Sequence, residues 1–265
     1  MKILILKLVL TPALIGMATL ASRRWGQAVG GWLVGLPLTS GPIAFILALE
    51  HGSSFASAAA IGSLAGALAE VAFCVAYAWV AVRASWPPAL MAGSAAFALV
   101  GAVMQHATIP IVALTALVCA GLALALRALP THRAVVRRVP APPWELPARM
   151  VSATVVVLLI TGFAASLGPR LSGILATYPV YAATLTVFAH RAGPGPAVQV
   201  LRGLLLGLFA FAGFFLILGL SLSRAGVAMA FGLAIAGALL IQGASLALVM
   251  RSGGQQNLQG GNSRE

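Results

Sequence analysis

Long apolar windows leave this chain few folds to choose from. Stretches of roughly twenty residues, the length that crosses a ~30 Å hydrocarbon layer as helix, fall at 3–21, 27–49, 55–82, 88–105, 107–127, 150–168, 171–189, 197–222 and 225–250. In lipid each segment must satisfy its own backbone polar groups, so such windows fold as helices. The expected class is an all-α polytopic membrane protein with nine candidate transmembrane helices. The pair flanking Gln105 and His106 has an alternative as a re-entrant hairpin. Composition agrees with the class: 61% of residues are hydrophobic, 8% are charged and Asp is absent, a balance outside the soluble range. Cys74 and Cys119 both fall inside windows, where a reduced, packed thiol is expected rather than a disulfide.

The net charge of +12 raises the question of nucleic acid, which would need Lys and Arg gathered on a solvated domain. Here they punctuate the loops, and no nucleic-acid partner is expected. Arg23, Arg24, Arg83, the five arginines from Arg127 to Arg149, Arg191 and Arg251 fall on one side if the chain starts outside. Lys2, Arg170 and Arg224 fall on the other. The positive-inside rule makes the arginine-rich side cytoplasmic, in a multi-pass protein of a bacterial-type inner cell membrane with the lipid bilayer as its first partner. Residues 1–127 form a first repeat plus a linking helix, 128–148 a basic cytoplasmic loop, 149–250 a second repeat, and 251–265 a polar, Gly-rich tail expected to be disordered. The opening segment could also be read as a secretory signal. Lys7 and Pro12 interrupt its apolar centre, and a partner segment later in the chain argues for a retained helix.

That partner comes from an internal duplication. Laying "RWGQAVGGWLVGLPLTSGP" on "SLGPRLSGILATYPVYAAT" matches Gly26 with Gly168, Gly31 with Gly173 and Pro37 with Pro179, and sets Lys7 on Arg149. After a short gap His51 meets His190, and the Gly62/Gly66 pair meets Gly203/Gly207. The second unit, with "SGILATYP", "FAH" and "GLLLG", resembles the small GlpM-like membrane proteins over about 80 residues, and the first unit does so more faintly. The resemblance implies a duplicated helical unit and names no reaction. An odd number of spans before the basic loop would set the two copies antiparallel, giving an inverted repeat with Pro-broken helices, a common architecture of secondary transporters.

The breaks are the candidate site. Pro37 and Pro42 each withhold an N–H from the carbonyl four residues earlier, Leu33 and Leu38, and freed carbonyls in hydrocarbon need protein, water or a ligand. Thr39, Ser40 and Gly41 between them offer hydroxyls and a close backbone approach; Thr177, Tyr178, Pro179 and Tyr181 are the counterparts in the second copy. A plain proline kink capped by hydroxyls is the competing reading. Glu70, central in the third window, is the candidate proton-coupling residue, since an ionisable group there is a functional candidate by default. Packing against a neighbouring helix is its alternative. Glu50 with His51, and His190 with Arg191, read as interfacial pairs, Lys7 as a snorkelling anchor, and Trp25, Trp32, Trp79 and Trp86 as belt residues.

No zinc-protease, nucleophile-elbow or phosphate-loop motif occurs, so neither an enzyme nor a cofactor or metal site is expected. The reading favoured is a transporter or permease for a small molecule or ion, with a homo-oligomer as an option. An accessory or assembly protein of envelope biosynthesis is the alternative.

Overall fold

The computed structural model describes residues 9–10, 13–14, 16–17, 20, 37–130 and 145–261, without the side chains of 145, 148, 149, 153, 181 and 245–261. The described residues after 37 form helices α1 (Ser40–Ala81), α2 (Trp86–His106), α3 (Ile111–Ala128), α4 (Glu145–Ala176), α5 (Val180–Arg191) and α6 (Pro194–Gly261). Five of these, or parts of them, are long and apolar enough to cross a membrane: Ser40–Ala81, Trp86–His106, Ile111–Ala128, Met150–Ala176 and Pro194–Ala244.

Three of the six are two helices meeting at a glycine. Gly52 (φ 85, ψ 171) divides α1, Gly168 (φ 75, ψ 166) divides α4, and Gly226 (φ 74, ψ 168) divides α6. That corner of backbone space is almost closed to residues with a Cβ, so glycine is what lets the chain change direction without a loop. The windows at 27–49 and 55–82, 150–168 and 171–189, and 197–222 and 225–250 are therefore joined pairwise. One window is corrected: 171–189 is no continuous helix, because the chain opens at Thr177–Pro179 between α4 and α5. The polar tail is also corrected in part, for α6 carries on to Gly261; a helix already nucleated lengthens without a new nucleation step. The first window, the basic loop over 131–144, Lys7, Trp25 and Trp32 lie wholly or largely outside the described residues.

Helix α1 is the hub. Of its apolar window 72% is buried within the bundle, against 22% for α2 and 28% for α3, whose outer faces expose Met91, Leu99, Val112 and Leu124. A single core cluster runs from Ala44 to Ala238 and so draws on both halves of the chain. Where α1 crosses α4 the backbones touch: a Cβ on Gly62 would strike the Arg170 carbonyl, and one on Gly173 the Ala59 carbonyl. Small residues permit this approach, the usual device where lipid supplies no hydrophobic drive between helices.

The two ends of the bundle differ in charge. The Tyr77 hydroxyl meets His190 Nδ1 at 3.2 Å, and the Trp79 indole donates to the Ala128 carbonyl at 3.1 Å. These contacts bring the neighbourhoods of Arg83, Arg127 and Arg191 together at one end. Arg170 donates instead to the Ala107 carbonyl in the α2–α3 turn at the opposite end.

Candidate functional site

Two interruptions of helix meet at one place. The chain enters α1 through Pro37, Leu38 and Thr39, and enters α5 through Thr177, Tyr178 and Pro179. At the first, the Gly41 N–H donates to the Pro37 carbonyl at 2.8 Å and the Ile43 N–H to Thr39 at 3.2 Å. The carbonyl between them, Leu38, is left over because Pro42 has no N–H. Pro42 does not break a helix, as the sequence suggested; it stands in the first turn of one, where an N–H lacks an intrahelical partner anyway.

The second interruption is made differently. The Val180 N–H donates to the Tyr178 carbonyl at 2.8 Å across Pro179, which sits at φ −79, ψ 56, an inverse γ-turn. Val180 is thereby drawn away from the Ala176 carbonyl, its partner in a continuous helix. Upstream, the Thr177 and Tyr178 N–H groups close onto Ile174 and Leu175, each at 3.1 Å, a tightened last turn.

Both interruptions line one cavity of about 50 Å³. One wall is Leu38, Thr39 and Ser40; another is Ala176 to Val180 with Ala182. Glu70 of α1 faces it, and Leu204, Leu208 and Phe211 of α6 close it. A water needs roughly 10–15 Å³ of such space, so the cavity suits an ion or a group of a few atoms.

The short helices leave this cavity in opposite directions. From Ser40 the chain runs to the reversal at Gly52 and returns at Glu70, since Ser40 and Glu70 share the cavity. Beyond, α1 runs alongside α4 and α5: Gly62 lies against Arg170, Gly66 against Ile174 and Thr177, and the Tyr77 hydroxyl meets His190 Nδ1 at 3.2 Å. Helix α5 therefore points to the arginine-rich end, and the first segment of α1 to the other. Each presents its N-terminus, the positive end of its dipole, to the cavity.

Glu70 is 5% exposed. Among the described residues it has no hydrogen bond or ion pair, and no described Lys, Arg or His lines the cavity. The Thr177 hydroxyl gives its proton to the Ile174 carbonyl at 2.7 Å, leaving lone pairs for anything else. Tyr178 is tied through its hydroxyl to Ser94 of α2 at 2.8 Å and packs edge-on against Phe97 at 5.2 Å.

Of the residues expected from sequence, Thr39, Ser40, Glu70, Thr177, Tyr178 and Pro179 line the cavity. Pro37, Gly41 and Pro42 do not; Gly41 packs against Pro37 and Phe214, so this trio shapes the turn. The side chain of Tyr181 lies outside the described residues. Sequence reasoning singled out the Leu38 carbonyl but missed Ala176, Val180, Ala182 and the α6 wall. The register that pairs Gly62/Gly66 with Gly203/Gly207 in the sequence would carry Glu70 onto Phe211, and both residues line the cavity. His190 was expected at the lipid headgroups; instead it is 9% exposed and bonded to Tyr77, because α5 ends against α1. Glu50 and His51 are exposed at a helix end, with His51 stacked on Phe55 at 4.7 Å.

Neither a family model, nor a curated protein, nor a solved structure matches the chain.

Proposed function

We propose that the protein is a secondary transporter or permease for a small solute, acting in a bacterial-type inner cell membrane and built as an inverted repeat. One observation carries the reading: the two Pro-containing interruptions, far apart in sequence, converge on one cavity that also holds a buried carboxyl. A proline kink that served packing alone would have no reason to meet its counterpart. Two short helices departing from a shared cavity toward opposite ends are what an inverted duplication produces, and broken helices at a repeat interface are where such proteins bind substrate.

Glu70 supplies the coupling in this scheme. A charged residue at the centre of a span costs roughly 2.5–3.5 kcal/mol on insertion scales. Loading and unloading of a proton would let the carboxyl cross between states while neutral. The halves exchange packing around Thr39, Ser40, Thr177 and Tyr178, exposing the cavity to one side and then the other. The chemistry asks for no covalent intermediate, so the reading is of a carrier and not an enzyme.

The test is reconstitution. Proteoliposomes holding an internal pH dye and an imposed pH gradient receive small solutes and salts one at a time. Protein-dependent proton movement triggered by one of them supports transport; silence across ions, amino acids, sugars and small organic acids would contradict it and favour the accessory reading.

A further inference from the structure

The cavity's inventory of donors and acceptors points to its occupant. We infer that the site binds a small monovalent cation, with the Glu70 carboxylate as counter-charge, in exchange for a proton. The inference rests on the transport reading for its purpose and on the cavity alone for its chemistry.

The lining offers several oxygen acceptors. Leu38 keeps a carbonyl that Pro42 cannot serve, and Ala176 one from which Val180 is drawn away. The Thr177 oxygen has already committed its proton to Ile174. Thr39 and Ser40 add hydroxyl oxygens and Glu70 a carboxyl, giving the hard oxygen set that alkali and alkaline-earth cations prefer. Carbonyls freed where a helix is interrupted are the groups that coordinate such ions in carriers of this architecture.

An anion would look for the two helix N-termini, and here some of their donors are missing or engaged. Pro42 removes a donor from the first turn of α1, Pro179 is the N-cap residue of α5 and has no N–H, and the Gly41, Ile43 and Val180 N–H groups are already engaged. Among the described residues no basic side chain lines the cavity. The residual positive potential of the N-termini disfavours more than one added positive charge.

The count of carboxyls fixes the valence. Among the described residues no cluster of three His, Cys, Asp or Glu exists that could hold a metal ion, and a divalent ion in a dry site needs more than one carboxylate. A single Glu matches a single charge. The exchange balances as the Glu70 acid plus the cation giving the ion-paired carboxylate plus a released proton, with no electrons moved. Among the described residues Tyr178 is the other titratable side chain in the lining, and its hydroxyl is held by Ser94. Cys74, one turn further along α1 and fully buried, is the next nearest. The α6 wall of Leu204, Leu208 and Phe211 contributes none.

Thermal unfolding of the full-length, detergent-solubilised protein tests this with sodium, lithium, potassium and choline chlorides at fixed ionic strength, plus sodium gluconate. Sodium should raise Tm with either anion, choline chloride should not, and the apparent affinity should rise about tenfold per pH unit while the carboxyl is protonated. Glu70→Gln should unfold at a similar basal Tm and lose the sodium response. Glu70→Asp, which keeps the charge but shortens its reach, should retain a weaker one. A shift that follows chloride instead of sodium, a sodium shift that persists in Glu70→Gln, or one indifferent to pH would overturn the inference. So would the absence of any sodium shift in the wild type. Gradient-driven uptake of a solute by the same preparation would then leave the transport reading standing alone.

Discussion

Glu70 is the residue whose retention most needs explaining. If it served packing, a neighbour would hold it, and removing the carboxyl would leave that neighbour unsatisfied at about 1–3 kcal/mol. No such neighbour exists among the described residues, so Glu70→Leu is expected to leave thermal stability unchanged or raised. A fall in Tm by many degrees would return the residue to a structural role. Glycine at the α1–α4 crossing behaves oppositely. A Cβ on Gly173 meets the Ala59 carbonyl and lies 2.8 Å from the Ser63 nitrogen, backbone atoms that cannot swing aside. Gly173→Ala should destabilise by about 1–3 kcal/mol, the usual range for overpacking. Gly162→Ala, where nothing lies within 4 Å, should be neutral or stabilising by up to ~1 kcal/mol through helix propensity. Unfolding by denaturant of both variants checks the pair.

At the scale of elements, the fold depends on where helices are allowed to stop. The glycines at 52 and 168 have open space around a would-be Cβ yet sit at φ near +80, so substitution there meets strain and not crowding. Gly52→Ala should cost about 1–3 kcal/mol, a loss that crowding arguments would not anticipate, read from the same unfolding curves. Pro179→Ala restores an N–H at the α4–α5 interruption and lets Val180 turn back toward Ala176. It is expected to preserve or raise stability while lowering transport; full flux would mean the interruption is incidental. These elements also mark what sequence could convey. Apolar windows and the Gly-Pro punctuation anticipated most of the described helices and the neighbourhood of both interruptions, because helix length in lipid and the missing proline N–H act locally, though not the division of 171–189 between α4 and α5. Pro42 misled because a proline inside a helix and one in its first turn look alike without a boundary. The buried His190–Tyr77 contact and the Phe211 wall were illegible for another reason: they arise from α5 ending on α1 and α6 closing on the cavity, pairings between segments far apart in the chain.

For the molecule as a whole, the account requires two ends of opposite sidedness around one site. Ser54→Cys, beside the Gly52 reversal, should react with a membrane-impermeant thiol reagent in intact cells, and Arg191→Cys, at the tip of α5, only after the membrane is permeabilised. Cys74 is buried and Cys119 is half-buried, so background labelling should be low. Labelling of both new cysteines from one face would remove the inverted arrangement and weaken alternating access with it. The central claim is that the shared cavity is a coupling site worked by Glu70, and proton flux in proteoliposomes tests it most directly. Wild-type protein is expected to dissipate an imposed pH gradient when the transported solute or cation is added, and Glu70→Gln, equally well folded, to dissipate none. Wild-type flux retained in the Gln variant would contradict the account.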